Sequence, residues 1–251
     1  PTRKQEAWRL TDLKRLEALA TLPEVSEISD PLMPAVSDGV TRLVLGGQRD
    51  PLDGVSLPEG VTPLTEAELN RHLGQTLDHC GCAEAWPVEL NQAHSQHVLA
   101  LRVCGKVPAL ELVLGSGVGL TATRVLLLLE DNAELELLQV FPPGSSSSDG
   151  QCAHSHVLEL HLGQNARLRH GVLASGTGNA SLMVHLAIEQ EPSSHYGLTS
   201  VCRGWRFGRL EPRVLQLEGQ ATTGIHGLSL TTADEQFATH SSMRFGGPEG
   251  E

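Results

Sequence analysis

HSHVLELHLGQNARLRHGVL, residues 154–173, reads as strand, turn and strand. Leu158, Leu160 and Leu162 alternate with Glu159 and His161, and side chains two apart share one face of an extended chain. A helix would repeat its apolar positions three and four apart, and no full turn of this segment does so. The alternation continues outward on both sides. Leu182, Val184, Leu186 and Ile188 oppose Ser181, Met183, His185 and Ala187, while Leu135 and Leu137 oppose Glu134 and Glu136. The turns between such strands resemble one another: EDNAELEL (130–137), GQNARLRH (163–170) and EGQATTGIHGL (218–228) each set a Gly or an acid, an amide and an Ala in order. Their alanines, Ala133, Ala166 and Ala221, are spaced 166 − 133 = 33 and 221 − 166 = 55, which predicts a stack of strands with unequal loops. An inward Leu contributes about 1.5–3 kcal/mol, so three per strand hold only if each strand lies on the next. The first reading is therefore an all-β solenoid, and the second a sandwich or barrel. The predicted interior includes Leu158, Leu160, Leu162, Leu182, Val184, Leu186, Leu215 and Leu217.

At 251 residues the chain holds one good core with room for a small second domain. Apolar residues make up 39% but aromatics only 3%, so Leu and Val must fill the interior in thin aliphatic layers. A net charge of −12 argues against a nucleic-acid or anionic-membrane surface and suits a protein that meets other proteins. No stretch approaches the roughly 20 apolar residues of a membrane span; the run from Val125 to Leu129 stops at Glu130. The opening PTRKQEAWRL lacks the apolar centre of a signal peptide. Five cysteines, an odd number without a regular framework, fit a reducing compartment. The expected location is the cytosol or a plastid stroma.

The first hundred residues read differently. Thr11 is placed to cap a helix reaching about Ala20, and the text from Thr21 to Val40 reads as a surface linker. Thr41 to Gly47 forms a strand, and Asp50 to Gly60 turns the chain back. Thr65 with Glu68 makes a capping box that opens a helix through Leu69, Leu73 and Leu77. A second helix covers Trp86 to His94, and His97–Val103 and Ala109–Leu114 are strands. The division expected is residues 1–106 as a helical and α/β region and 107–251 as the β-helix. FPPGSSSSDG (141–150) reads as a flexible excursion.

The opening PTRKQEAWRLTDL, with Thr2, Arg3, Lys4, Glu6, Trp8, Thr11 and Asp12 in order, resembles the opening motif of the SufB/SufD family, closest to its SufD branch. The segments 154–173 and LEGQATTGIHGLSL (217–230) are similar to coils of that family. The resemblance implies a mainly β fold, a right-handed parallel β-helix, the hand that parallel crossovers favour. It implies a non-catalytic scaffold of iron–sulfur cluster assembly that pairs with SufB and works with the SufC ATPase. The ATPase docks on a C-terminal helical region that this sequence does not include, so recruitment of SufC by this chain is not expected. The cluster is assembled by the complex, with no cofactor bound by this chain alone, and two copies are expected to pair when SufB is missing. The resemblance carries no catalytic, cofactor or metal residue onto a position here.

GQCAHSHVLELHLG resembles a cupin metal motif through His154 and His156, but strand parity sends Glu159 to the opposite face. Cys80 and Cys82 form a lone Cys-x-Cys without two further ligands; Cys104, Cys152 and Cys202 stand apart. Glu211, Glu218 and Asp234 are the candidate carboxylates of a glycoside-cleaving β-helix. No Gly-Lys-Ser/Thr phosphate loop occurs, so ATP hydrolysis belongs to another chain. A cupin-like metal-binding protein and a carbohydrate-active β-helix enzyme thus remain as alternatives to the scaffold.

Overall fold

The structure, a computed structural model, describes residues 1–247 apart from 3, 10, 26, 29–32, 34, 49 and 144–151. Its strands in chain order begin with β1 (Thr41–Leu45), β2 (Val61–Pro63), β3 (Val98–Val103), β4 (Leu110–Leu114) and β5 (Gly119–Leu129). There follow β6 (Glu134–Phe141), β7 (Cys152–Leu162), β8 (Arg167–Ser175), β9 (Ser181–Gln190) and β10 (His195–Arg203). The last are β11 (Phe207–Gln216), β12 (Thr222–Leu230), β13 (Gln236–Thr239) and β14 (Ser242–Phe245). Even-numbered strands from β4 to β12, with β1 beyond β4, form one sheet; β2, β3 and the odd strands from β5 to β13 form the other, with β14 also on β11. Every pairing is parallel except β2 with β3. The chain thus winds as a parallel β-solenoid of about five turns.

One corner of each coil explains the sequence pattern. Gly105, Asn132, Asn165, Ser193 and Gln220 all have positive φ, a conformation that Asn and Gly adopt at low cost. The residues after the last four, Ala133, Ala166, Ser194 and Ala221, are buried and small enough for the strands to turn inward. Adjacent coils are tied there: the Arg167 N–H donates to Ala133 O at 2.8 Å, His195 N–H to Ala166 O at 2.8 Å and Thr222 N–H to Ser194 O at 2.9 Å. The spacing of 55 is therefore two coils, 194 − 166 = 28 and 221 − 194 = 27, the middle one hidden because Ser replaces Ala. The longer spacing of 33 comes from the β6–β7 connection, residues 142–151, which has ten residues where the β8–β9 connection, 176–180, has five. The excursion expected in the former lies mostly outside the described residues.

Between the sheets lies one aliphatic interior. Leu158, Leu160, Leu162, Leu182, Val184 and Leu186 are all within it, as expected, each no more than 1% exposed. Leu215 and Leu217 are not. On β11 the inward residues are Leu210 and Val214, so Leu215 and Leu217 turn outward and pack with Leu77, Cys80 and Cys82. Register against β9 decides this, since Val214 pairs with Ile188.

Helices cover the outer face of the odd-stranded sheet. They are α1 (Leu13–Leu19), α2 (Glu66–His72), α3 (Gln75–His79) and α4 (Trp86–His94). Asp12, not Thr11, caps α1, accepting from the Lys14 and Arg15 N–H groups; Thr11 is buried. The capping box of Thr65 and Glu68 is present on α2. The single helix expected through Leu77 breaks instead at Gly74, whose φ of 88° begins α3 in a new direction. α4 has its expected limits and lies across β5, β7 and β9. Residues 23–25 are not a free linker: Glu24 bridges Leu120, and the Leu120 N–H donates to Pro23 O at 2.8 Å. β1 pairs with β4, and β3 with β5, so strands of the first hundred residues lie in the two sheets of the stack.

Candidate functional site

Inward parity places His154 and His156 in the lumen with Leu158, while Glu159 faces out. His156 joins a buried chain of hydrogen bonds that the Gln139 amide orients. Tyr196 Oη donates to His170 Nδ1 at 3.0 Å, and His170 Nε2 donates to Gln139 Oε1 at 2.9 Å. Gln139 Nε2 then donates to His156 Nε2 at 2.6 Å, and His156 Nδ1 donates to Thr123 Oγ1 at 2.8 Å. His154 is wedged edge-on between Phe141 and Trp205. Burial holds all three imidazoles neutral, His154 down to about 4 and His156 and His170 to about 3. Both nitrogens of His156 are already occupied by neutral partners, and the one nearby carboxylate in sequence, Glu159, lies behind the sheet. The lumen is thus built to satisfy polar groups, and the His–His–Glu arrangement of a cupin does not assemble. Gln139, His170 and Tyr196 escaped the sequence reading, although each holds an inward position beside Leu137, Leu168 or Leu198.

On the outer face of the odd-stranded sheet, charges pair beneath the helices. Arg124 Nη2 donates to Glu159 Oε1 at 2.9 Å in a buried contact, and the partly buried Gly74 N–H donates to Glu159 Oε2 at 2.8 Å. Burial raises the Glu159 pKa, and the Arg124 contact opposes that rise without cancelling it. Glu189 receives His79 on one oxygen and His161 on the other, the latter at 3.1 Å. The Glu189 contact raises the His161 pKa, while burial pushes Glu189 up and the two histidines more than reverse it. Glu211 sits among Arg209, Arg213 and His185; burial alone would raise its pKa, but the His185 and Arg209 contacts hold it far below the carboxylate range. The opening motif closes on this region, with the Arg209 guanidinium 4.0 Å from the centre of the Trp8 ring. Arg15 Nη1 also donates to Arg206 O at 2.8 Å.

The remaining candidates separate. Glu218 is exposed at a corner, and Asp234 pairs with Arg206 at the surface, so neither forms a carboxylate pair with buried Glu211. Cys80 and Cys82 are buried thiols, pushed by desolvation up to about 12, and their Sγ atoms donate to the carbonyls of Ile188 and Leu77. Cys202 is buried and likewise raised to about 12, Cys152 is partly buried and Cys104 exposed. Among the described residues no group of three His, Cys, Asp or Glu is gathered to hold a metal ion.

What the fold does leave open is an edge. β12 pairs with β10 along all nine residues from Thr222 to Leu230, and among the described residues nothing pairs with its other side. Leu228 and Leu230, on the outward face of the same strand, are each about half exposed. Such an edge is a template for a further strand, from a following coil or from another chain. No helix among the described residues is long and apolar enough to cross a membrane.

Residues 113–251 match the family model described as SUF system FeS cluster assembly, SufBD core domain. A curated relative, the iron-sulfur cluster assembly SufBD family protein of Synechocystis, is 22% identical over 283 aligned residues, covering the whole chain and 60% of that protein. Protein ABCI7, chloroplastic, of Arabidopsis thaliana is 24% identical over 272, again covering the whole chain and 56% of the relative. The chain therefore spans somewhat over half the length of these relatives.

Proposed function

The chain belongs to the SufBD family of iron–sulfur cluster assembly proteins, and from that premise we propose that it acts as a non-catalytic scaffold of the SufD branch, pairing with SufB and working with the SufC ATPase. The observation that carries the reading is the edge of β12, a nine-residue parallel strand that nothing pairs with on its other side among the described residues. A partner solenoid supplying a strand there would satisfy the open backbone groups. The buried thiols and the hydrogen-bonded lumen histidines support a passive role, because neither set offers a free nucleophile or base at neutral pH. The iron–sulfur cluster is then the cargo of the assembled complex, with no cofactor held by this chain alone. The cytosol or a plastid stroma is the compartment proposed, supported by the name of the chloroplastic relative and by the free thiols.

Light scattering on the chain alone and after mixing with SufB tests the pairing. A one-to-one complex is expected, with amide exchange in Thr222–Leu230 slowed on mixing. A chain that stays monomeric in both conditions, or a complex that leaves these amides unprotected, would reject the reading.

A further inference from the structure

The two sheets differ in a way the proposed scaffold role does not use. α4 lies across three strands of the odd-stranded sheet, where Asn91 Nδ2 donates to Thr123 O at 3.1 Å and Ser155 O at 2.9 Å. Among the described residues no helix lies on the outer face of the even-stranded sheet, and two broad surface grooves open there, lined toward β4 and β6 by Glu111, Glu134 and Glu136 as well. On β8, β10 and β12 the outward residues stack in rows across the strands. Arg167, His195 and Thr222 form the first row, and Arg169, Gly197 and Gly224 the second. Gly171, Thr199 and His226 form the third, and Leu173, Val201 and Leu228 the fourth. Ser175, Arg203 and Leu230 form the fifth. The face thus passes from basic through bare to aliphatic, and Arg203 stands at its far end.

In the bare rows Gly171 has a cause inside the chain, since a Cβ there would meet Leu138 Cδ1 at 2.9 Å, but the other two glycines have none. Gly197 and Gly224 have ordinary strand φ, and a Cβ on either would meet nothing closer than 4.0 Å and 3.8 Å respectively. Gly weakens a strand interior, and where the register runs unbroken, with no bulge, its use is the close approach of a ligand or another backbone. Charge points to the nature of that body. In a chain of net charge −12 the outward positions of these three strands carry Arg167, Arg169, Arg203, His195 and His226 and no carboxylate. Arg169 is paired with Glu136 of β6, while Arg167 and Arg203 make no ion pair among the described residues. Leu173 and Leu228 are 42% and 51% exposed, so the apolar row is open as well.

We infer that this face docks an acidic amphipathic helix of a partner protein, lying across β8, β10 and β12 as α4 lies across β5, β7 and β9. The dimensions agree. Parallel strands stand about 4.8 Å apart, and a helix repeats every ~5.4 Å, so residues one turn apart fall over successive strands. From the first row to the fourth is six residues, roughly 20 Å, which admits a helix about 10–12 Å wide on the glycine floor. Its apolar side meets Leu173, Val201 and Leu228, and its carboxylates meet Arg167 and the neighbouring bases. The site uses the face of β12, leaving its edge free.

The test uses a fluorescent helical peptide of about four turns, roughly 22 Å long, with Leu on one side and Glu flanking it. The controls are a scrambled peptide and one with Lys for Glu. The acidic helix should bind at least about tenfold tighter than either control, and added salt should weaken it. Gly197→Val with Gly224→Val fills the floor in open space, and should lower affinity at least about tenfold while the melting temperature is kept. Arg167→Glu with Arg203→Glu, both at the surface, should do the same and decides the matter if the glycine variant unfolds. Equal binding of the scrambled peptide, or binding indifferent to both variants, overturns the inference. So does self-association of the chain that the glycine variant abolishes, since a second copy would then be the occupant.

Discussion

Ser194 occupies the coil corner that Ala166 occupies one turn earlier, and the two are joined through His195, whose N–H donates to Ala166 O at 2.8 Å. Both are fully buried. Ser194 keeps its hydroxyl satisfied by donating to Glu191 O at 2.7 Å and accepting from Gln190 Nε2 at 3.2 Å. The corner selects for size, and for polarity only where a partner stands ready.

Size is therefore the first quantity to vary. Ala166→Leu should destabilise the fold by about 1–3 kcal/mol or more through overpacking, whereas Ser194→Ala should cost only about 1 kcal/mol, the worth of its hydrogen bonds. Denaturant melts of the two variants check the order; a Leu tolerated at 166 would refute the corner's tight packing.

Backbone handedness gives the second prediction. Asn165 has a φ of 58°, so Asn165→Gly should be close to neutral and Asn165→Val should cost roughly 1–2 kcal/mol. Equal stabilities of the two variants by the same melts would contradict a left-handed corner.

In the lumen, Leu160→Ala removes a fully buried side chain and should cost about 2–5 kcal/mol. On the opposite face of the same strand, Glu159→Ala strands the Arg124 charge under α3 and should cost about 3–5 kcal/mol. Replacing both members, Arg124→Met with Glu159→Leu, should recover most of that loss. A double variant as unstable as the single one would show that the pair is not the source.

Acid should loosen the solenoid. His154, His156 and His170 have folded pKa values below the ordinary 6.5, at about 4, 3 and 3. Their contribution is present above the unfolded value and is lost as pH falls from there toward the folded ones. His161 acts oppositely, since its raised pKa gives stability that disappears as pH rises through it, and so do the raised carboxyls of Glu159 and Glu191. The three fully buried imidazoles, however, are joined on the acid-sensitive side by His240, Glu189 and Glu211, all lowered. The melting temperature should fall steadily on acidification from neutral to about pH 5. In His154→Leu, which puts an apolar side chain between Phe141 and Trp205, the dependence should be shallower. A melting temperature that holds or climbs on acidification would mean these imidazoles are not buried neutral.

The sequence alone determined the strands and their inner faces wherever the alternation was unbroken, as from Leu158 to Leu162 and from Leu182 to Ile188. It determined α4 and the Thr65–Glu68 box as well, because capping and period act over three or four residues. It also carried the family, through the opening motif and two coils. Only the tertiary structure decided the rest. Gly74 ends α2 where its N–H meets Glu159, 85 residues away, and Leu215 faces outward because β11 takes its register from β9. Ser194 shows itself as a corner only beside Ala166 and Ala221, and Gln139 joins His156 to His170 only after two coils have stacked. A strand's own pattern says that its sides differ; which side is enclosed, and what polar groups meet there, depends on neighbours about one coil distant in the chain, and that pairing is set by packing the whole stack.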